Sequence, residues 1–140
     1  MSRLALVDAN LDPLPRKPAS GGSSGIAACS EQEFLTGGWE EVRDRVGSHW
    51  WSTMRLAGRE ALHRSAVHPT RGTVPTMREL LLDLRIPRAF LLPEADGPFP
   101  GADVLSEAGV SVVAIPDCGH NIKLDNPEAF VRAAAGALTN

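Results

Sequence analysis

The sequence predicts an α/β fold built on a parallel sheet, and three observations carry that prediction. Short apolar runs at 4–7, 88–92 and 110–115 have no polar alternation, as strands buried on both faces do. Stretches with helical start signals separate the runs, and strands alternating with helices imply crossover connections. Each run ends in a polar, turn-forming stretch that carries Asp8, Asp96 or His120. In open α/β sheets, groups at the carboxyl ends of strands converge on the ligand crevice.

The elements follow in order. Leu4 to Val7 is the first strand, stopped by Asp8, Pro13 and Pro15. Residues 9–29 are rich in Pro, Gly, Ser and Asp and read as one long loop. Ser30-Glu31-Gln32-Glu33 is a capping box. Phe34, Leu35, Trp39, Val42 and Val46 then follow helical spacing, interrupted by Gly37-Gly38. A second helical stretch is expected from about Trp50 to Ala66, with Trp51, Met54, Leu56 and Leu62 as core contacts. Thr76-Met77-Arg78-Glu79 opens a short helix that Pro87 stops. After the second strand, a small helix at 102–108 ends at Gly109. Val110 to Ile115 has four β-branched residues and is the most strand-like run. Asn126-Pro127-Glu128 supplies an N-cap, a first-position proline and a first-turn acid for a helix to about Leu138.

Composition excludes several function classes. With 140 residues, the chain is long enough for one ordinary domain. A formal net charge of −3, with basic residues scattered, gives no nucleic-acid footprint and no patch for an anionic membrane. No apolar run approaches a membrane span, and the first residues lack the pattern of a signal peptide. Cys29 and Cys118 make no disulfide framework and have no zinc spacing, so neither a metal nor another cofactor is expected. The expected location is the cytoplasm.

His120 is the candidate for chemistry, because an imidazole oriented by a carboxylate serves as base and then as acid near neutral pH. Its flanking residues, Val113-Ala114-Ile115-Pro116-Asp117-Cys118-Gly119-His120 through Asn126-Pro127-Glu128-Ala129-Phe130, resemble the histidine loop of the α/β-hydrolases. Pro87 to Asp96 is similar to that family's preceding strand and acid turn, although Pro93 stands where a glycine is common. Leu6-Val7-Asp8-Ala9-Asn10-Leu11 resembles its sixth strand.

The resemblance implies a partial α/β-hydrolase fold: the sixth to eighth strands, a helical cap insertion and a C-terminal helix. Residues 1–11 and 81–140 would form the core half, and 12–80 the cap. It also implies ester or amide hydrolysis, with His120 as catalytic histidine and Asp96 as acid. Asp8 also ends a strand and is the alternative acid, with a strand-end cap as its simpler reading.

The family's nucleophile elbow, Gly-x-Ser-x-Gly between strand and helix, belongs upstream of these strands. The chain is therefore expected to be a C-terminal fragment, inactive alone. The alternatives are a half-enzyme that acts on a small molecule once a separate N-terminal half completes it, and a non-catalytic interaction or dimerisation domain, self-pairing through the first strand. Gly21-Gly22-Ser23-Ser24-Gly25 matches the elbow pattern, but loop residues precede it where a strand is needed. Cys118 reads as a packed strand-end residue and Asp125 as a dipole partner of the last helix. Trp39, Trp50 and Trp51 suit a cap lining or a core equally. His49, His63 and His68 read as surface residues.

Overall fold

The computed structural model describes residues 2–139, with the backbone alone at His49. The fold is α/β with three parallel strands: β1 (Leu4–Val7), β2 (Arg88–Pro93) and β3 (Val110–Ile115), ordered β1-β2-β3. Leu4 pairs with Arg88 and Val7 with Leu91, while Arg88 pairs with Val110 and Pro93 with Ile115. The helices, in chain order, are α1 (Ser23–Ile26), α2 (Glu31–Glu33), α3 (Trp39–Met54), α4 (Arg59–Arg71), α5 (Met77–Asp83), α6 (Ala102–Glu107), α7 (Ile122–Asp125) and α8 (Pro127–Thr139).

The chain divides into two compact units, Met1–Ala9 with Arg78–Asn140 and Asn10–Met77. The division expected from the sequence falls at 11/12 and 80/81.

In the sheet unit, side chains alternate across β2. Ala89 and Leu91 join Ile115, Cys118 and Ile122 in a core that packs against Ala129, Phe130, Ala133, Ala134 and Ala137 of α8. Phe90 points the other way and meets the Phe99 ring edge-on, with centroids 4.8 Å apart. Pro93 is tolerated at the end of the central strand for a specific reason. The Leu91 carbonyl accepts from Asp8 N–H (2.8 Å), so Leu91 faces β1, and so does Pro93 two residues on. The register places the last β1 residue, Val7, opposite Leu91, so no ladder bond is lost at a residue without an N–H.

The helical unit has its own core of Ile26, Phe34, Trp39, Val42 and Ala66, with Trp51, Met54 and Leu62 against it. Ser30 forms the expected capping box: its hydroxyl accepts the Glu33 amide, and the Glu33 carboxylate accepts the Ser30 amide at 2.8 Å. A π-helical segment, Phe34–Gly38, links α2 to α3.

Four expectations need correction here. Residues 9–29 are not one loop, because Ser23–Ile26 is helical and buries Ile26 and Ala27. The helix expected over 50–66 is instead two helices, α3 and α4, separated before Gly58, the N-cap of α4, with a further break inside α3 at Gly47 (φ 75°). Leu56 falls in that connection and is 73% exposed, so it is not a core contact. His63 is buried, stacking on Phe34 and donating from Nε2 to the Cys29 carbonyl at 3.0 Å. His68 is exposed, and the side chain of His49 lies outside the described residues.

Candidate active site

The carboxyl ends of the strands bring two polar groups together. Asp8 follows β1 directly and adopts a positive φ of 44°, a backbone region that Asp enters more readily than most residues. His120 follows β3 by five residues. Its Nδ1 is hydrogen-bonded to Asp8 Oδ2. Because β2 lies between β1 and β3, the pair spans the end of the central strand. The Asp8 side chain is 22% exposed and that of His120 is 68% exposed.

With Nδ1–H donating to the carboxylate, Nε2 is the basic nitrogen of the neutral ring. The carboxylate also stabilises the imidazolium that forms when Nε2 takes a proton. Carboxylate-oriented imidazole is thus set up for general acid–base work.

The loop that presents His120 is held from below. Gly119 N–H donates to Asp125 Oδ2 at 3.0 Å. Asn126 Nδ2 donates to the Pro116 carbonyl (3.0 Å), while Asn126 Oδ1 accepts the Ala129 amide (3.2 Å). One asparagine therefore caps α8 and ties down the start of the histidine loop. Asp117, like Asp8, takes a positive φ, here 53°. Asp125 ends α7 and holds the Gly119 amide.

Asp96 sits in the 3₁₀ turn Glu94–Asp96 and is exposed. Among the described residues, no hydrogen bond or ion pair joins it to His120; the carboxylate on Nδ1 is Asp8. Cys118 is 5% exposed and donates from Sγ to the Ile115 carbonyl. Burial, with the nearby Asp125 charge, pushes its thiol above the ordinary value, so it is held neutral and packed.

Ser23 opens α1 in the other unit, after a turn in which Ser20 N–H donates to the Lys17 carbonyl. Among the described residues, no strand leads directly into it. Gly25 has a packing reason: a Cβ there would lie 1.6 Å from the Ser20 carbonyl oxygen. The pattern is a tight backbone crossing and lacks the strand-to-helix geometry of an elbow. Among the described residues no group of three or more His, Cys, Asp or Glu side chains could hold a metal ion, and no helix is long and apolar enough to cross a membrane.

The chain is similar to a synthase. It is 26% identical over 145 residues to the 2-succinyl-6-hydroxy-2,4-cyclohexadiene-1-carboxylate synthase of Serratia proteamaculans (strain 568), in a match covering 86% of this chain. The match covers 56% of that enzyme, so the chain spans about half the length of the curated relative. No protein-family model and no solved structure matches the chain. This distant relationship and the three parallel strands fit a partial α/β-hydrolase fold.

Sequence reasoning reached His120 through its flanks. The acid role falls to Asp96 by the resemblance of Pro87 to Asp96 to the family's acid turn, with Asp8 as the alternative, and nothing in the sequence shows which strand end the imidazole faces. Sequence reasoning missed the hold that Asp125 has on Gly119, a contact between residues six apart across a loop.

Proposed function

We propose that this chain supplies the acid–base pair of an α/β-hydrolase-type active site for ester or amide hydrolysis of a small molecule. His120 is the general base and then the general acid, Asp8 is the carboxylate that orients it, and the nucleophile comes from polypeptide outside these 140 residues. The observation that carries this reading is the bond from His120 Nδ1 to Asp8 across the end of β2. An imidazole 68% exposed on a strand-tip loop suits a site whose other wall comes from another segment.

The outer edge of β1 is where that segment would dock. By alternation Leu4 and Leu6 face β2, leaving the N–H and C=O groups of Ala5 and Val7 on the open side, and Val7 is 41% exposed. Unpaired strand edges recruit a further strand. The cytoplasm, with its reducing conditions, suits the two free thiols.

A second reading is favoured by the relative's name, which is that of a synthase forming a cyclic carboxylate. The same pair would then move a proton on a carbon acid instead of activating a hydroxyl.

The test uses a fluorophosphonate probe and p-nitrophenyl acetate. The 140-residue chain alone is expected to be unlabelled and to hydrolyse the ester no faster than its His120→Ala variant. Adding a polypeptide that supplies a Gly-x-Ser-x-Gly half should produce labelling and turnover that both require His120. Labelling of the chain alone, lost in Ser23→Ala, would overturn the hydrolase assignment. So would activity in the assembly that survives His120→Ala.

A further inference from the structure

We propose that the amino-terminal end of the sheet carries a second, separate site: a cavity that binds an oxyanion, a phosphate or carboxylate group, through Arg3 and Arg132. The cavity measures about 450 Å³ and lies between the strand starts and the second half of α8. Arg3, Ala89 and Ser111 line it from the sheet side, and Arg132, Ala133 and Gly136 from the helix side. Register explains the sheet side. Ala5, Ala89 and Ser111 form one cross-strand row, and Arg3 lies two residues before Ala5, on the same face. Ala89 belongs to the core under α8, so this is the face that α8 covers. Small residues at Ala133, Gly136 and Ala137 leave the space open.

The charge around the cavity is one-sided. No Asp or Glu lines it, although the chain has 17 acidic residues against 14 basic ones. Arg43, Arg45, Arg59 and Arg64 each pair with a carboxylate. Among the described residues, Arg3 and Arg132 have no such partner. Arg88 also lines the cavity; its Nη atoms donate to the carbonyls of Leu82, Ile86 and Ala108, and its buried Nε has no hydrogen-bond partner.

The dipole of α8 does not account for Arg132. It lies seven residues before Thr139, about 10 Å along the axis, whereas the dipole acts within the last turn. Two guanidinium groups without carboxylate partners, with Ser111 in the same lining, supply the donors and the charge that an oxyanion requires. This end of β2 is about 20 Å from the end that holds Asp8 and His120, given six residues of strand.

The experiment is a ¹H–¹⁵N titration of the 140-residue chain with inorganic phosphate and, separately, with acetate, at ionic strength held constant with sodium chloride. The expected result is saturable shifts at the amides of Gly109, Ser111 and Gly136. Arg3→Gln or Arg132→Gln should weaken binding roughly ten-fold each, since a charge-assisted bond is worth at least one decade of affinity. The double variant should not saturate. Arg132→Lys should fall between, because it keeps the charge and loses the fork. Saturation with phosphate alone points to a phosphorylated ligand, and equal saturation with acetate points to a carboxylate; either supports the site. Shifts that merely follow chloride, or that persist in a double variant with unchanged melting, would overturn it.

Discussion

Asp8 and His120 are 112 residues apart in sequence and hydrogen-bonded across the end of the central strand. Neither side chain reaches the other by being long. The parallel order β1-β2-β3 sets both strand tips at the same end of the sheet. A positive φ at Asp8 turns the chain just after the last ladder bond, and the short loop after Ile115 carries the imidazole over β2. The pairing follows from topology first and from side-chain chemistry second.

The histidine loop should depend on Asp125. Asp125→Ala removes the acceptor of the Gly119 amide and is expected to cost about 1 kcal/mol, with faster hydrogen exchange at Gly119. Asp125→Asn keeps an oxygen in place and should lose less. Equal, unchanged exchange at Gly119 in all three proteins would show that the contact does not hold the loop.

The two thiols set a stability limit at alkaline pH. Burial raises both Cys29 and Cys118 above the ordinary thiol value of 9.0. A group raised on folding favours the folded state while it stays protonated, and that advantage is lost as pH climbs through its folded value. Stability should therefore hold below about pH 9 and fall above it. Denaturant titrations of Cys29→Ala and Cys118→Ala proteins should show a flatter alkaline limb, even if each is less stable at pH 7. An alkaline limb identical to that of the parent would remove the thiols from the explanation.

The core of the helical unit should be far more sensitive than its surface apolar residues. Phe34 is fully buried against Trp39 and His63, so Phe34→Ala should cost about 3–5 kcal/mol. Leu56 is 73% exposed, and Leu56→Ala should change stability by less than about 0.5 kcal/mol. Urea midpoints of the two variants check the contrast.

Local signals were legible where one segment decides its own structure. β-Branched density marked β3, Ser30 and Glu33 marked α2, and Asn126-Pro127 marked α8. Signals failed where distant segments decide. Asp96 and Asp8 both end strands, and only the loop path determines that the imidazole turns toward Asp8. His63 reads as a surface residue in the sequence but is buried, beside Leu62 and Ala66 on a core-facing stripe. The Gly21–Gly25 pattern imitated a catalytic elbow because a tight backbone crossing and an elbow both demand glycine.

The most direct test of the central claim is the tautomer and hydrogen bonding of His120, read by ¹⁵N NMR of histidine-labelled chain. The expected result is a proton on Nδ1 hydrogen-bonded to Asp8, with the Nδ1–H resonance lost in Asp8→Asn and kept in Asp96→Asn. A ring protonated only at Nε2, or an Nδ1–H that survives Asp8→Asn and disappears in Asp96→Asn, would contradict it.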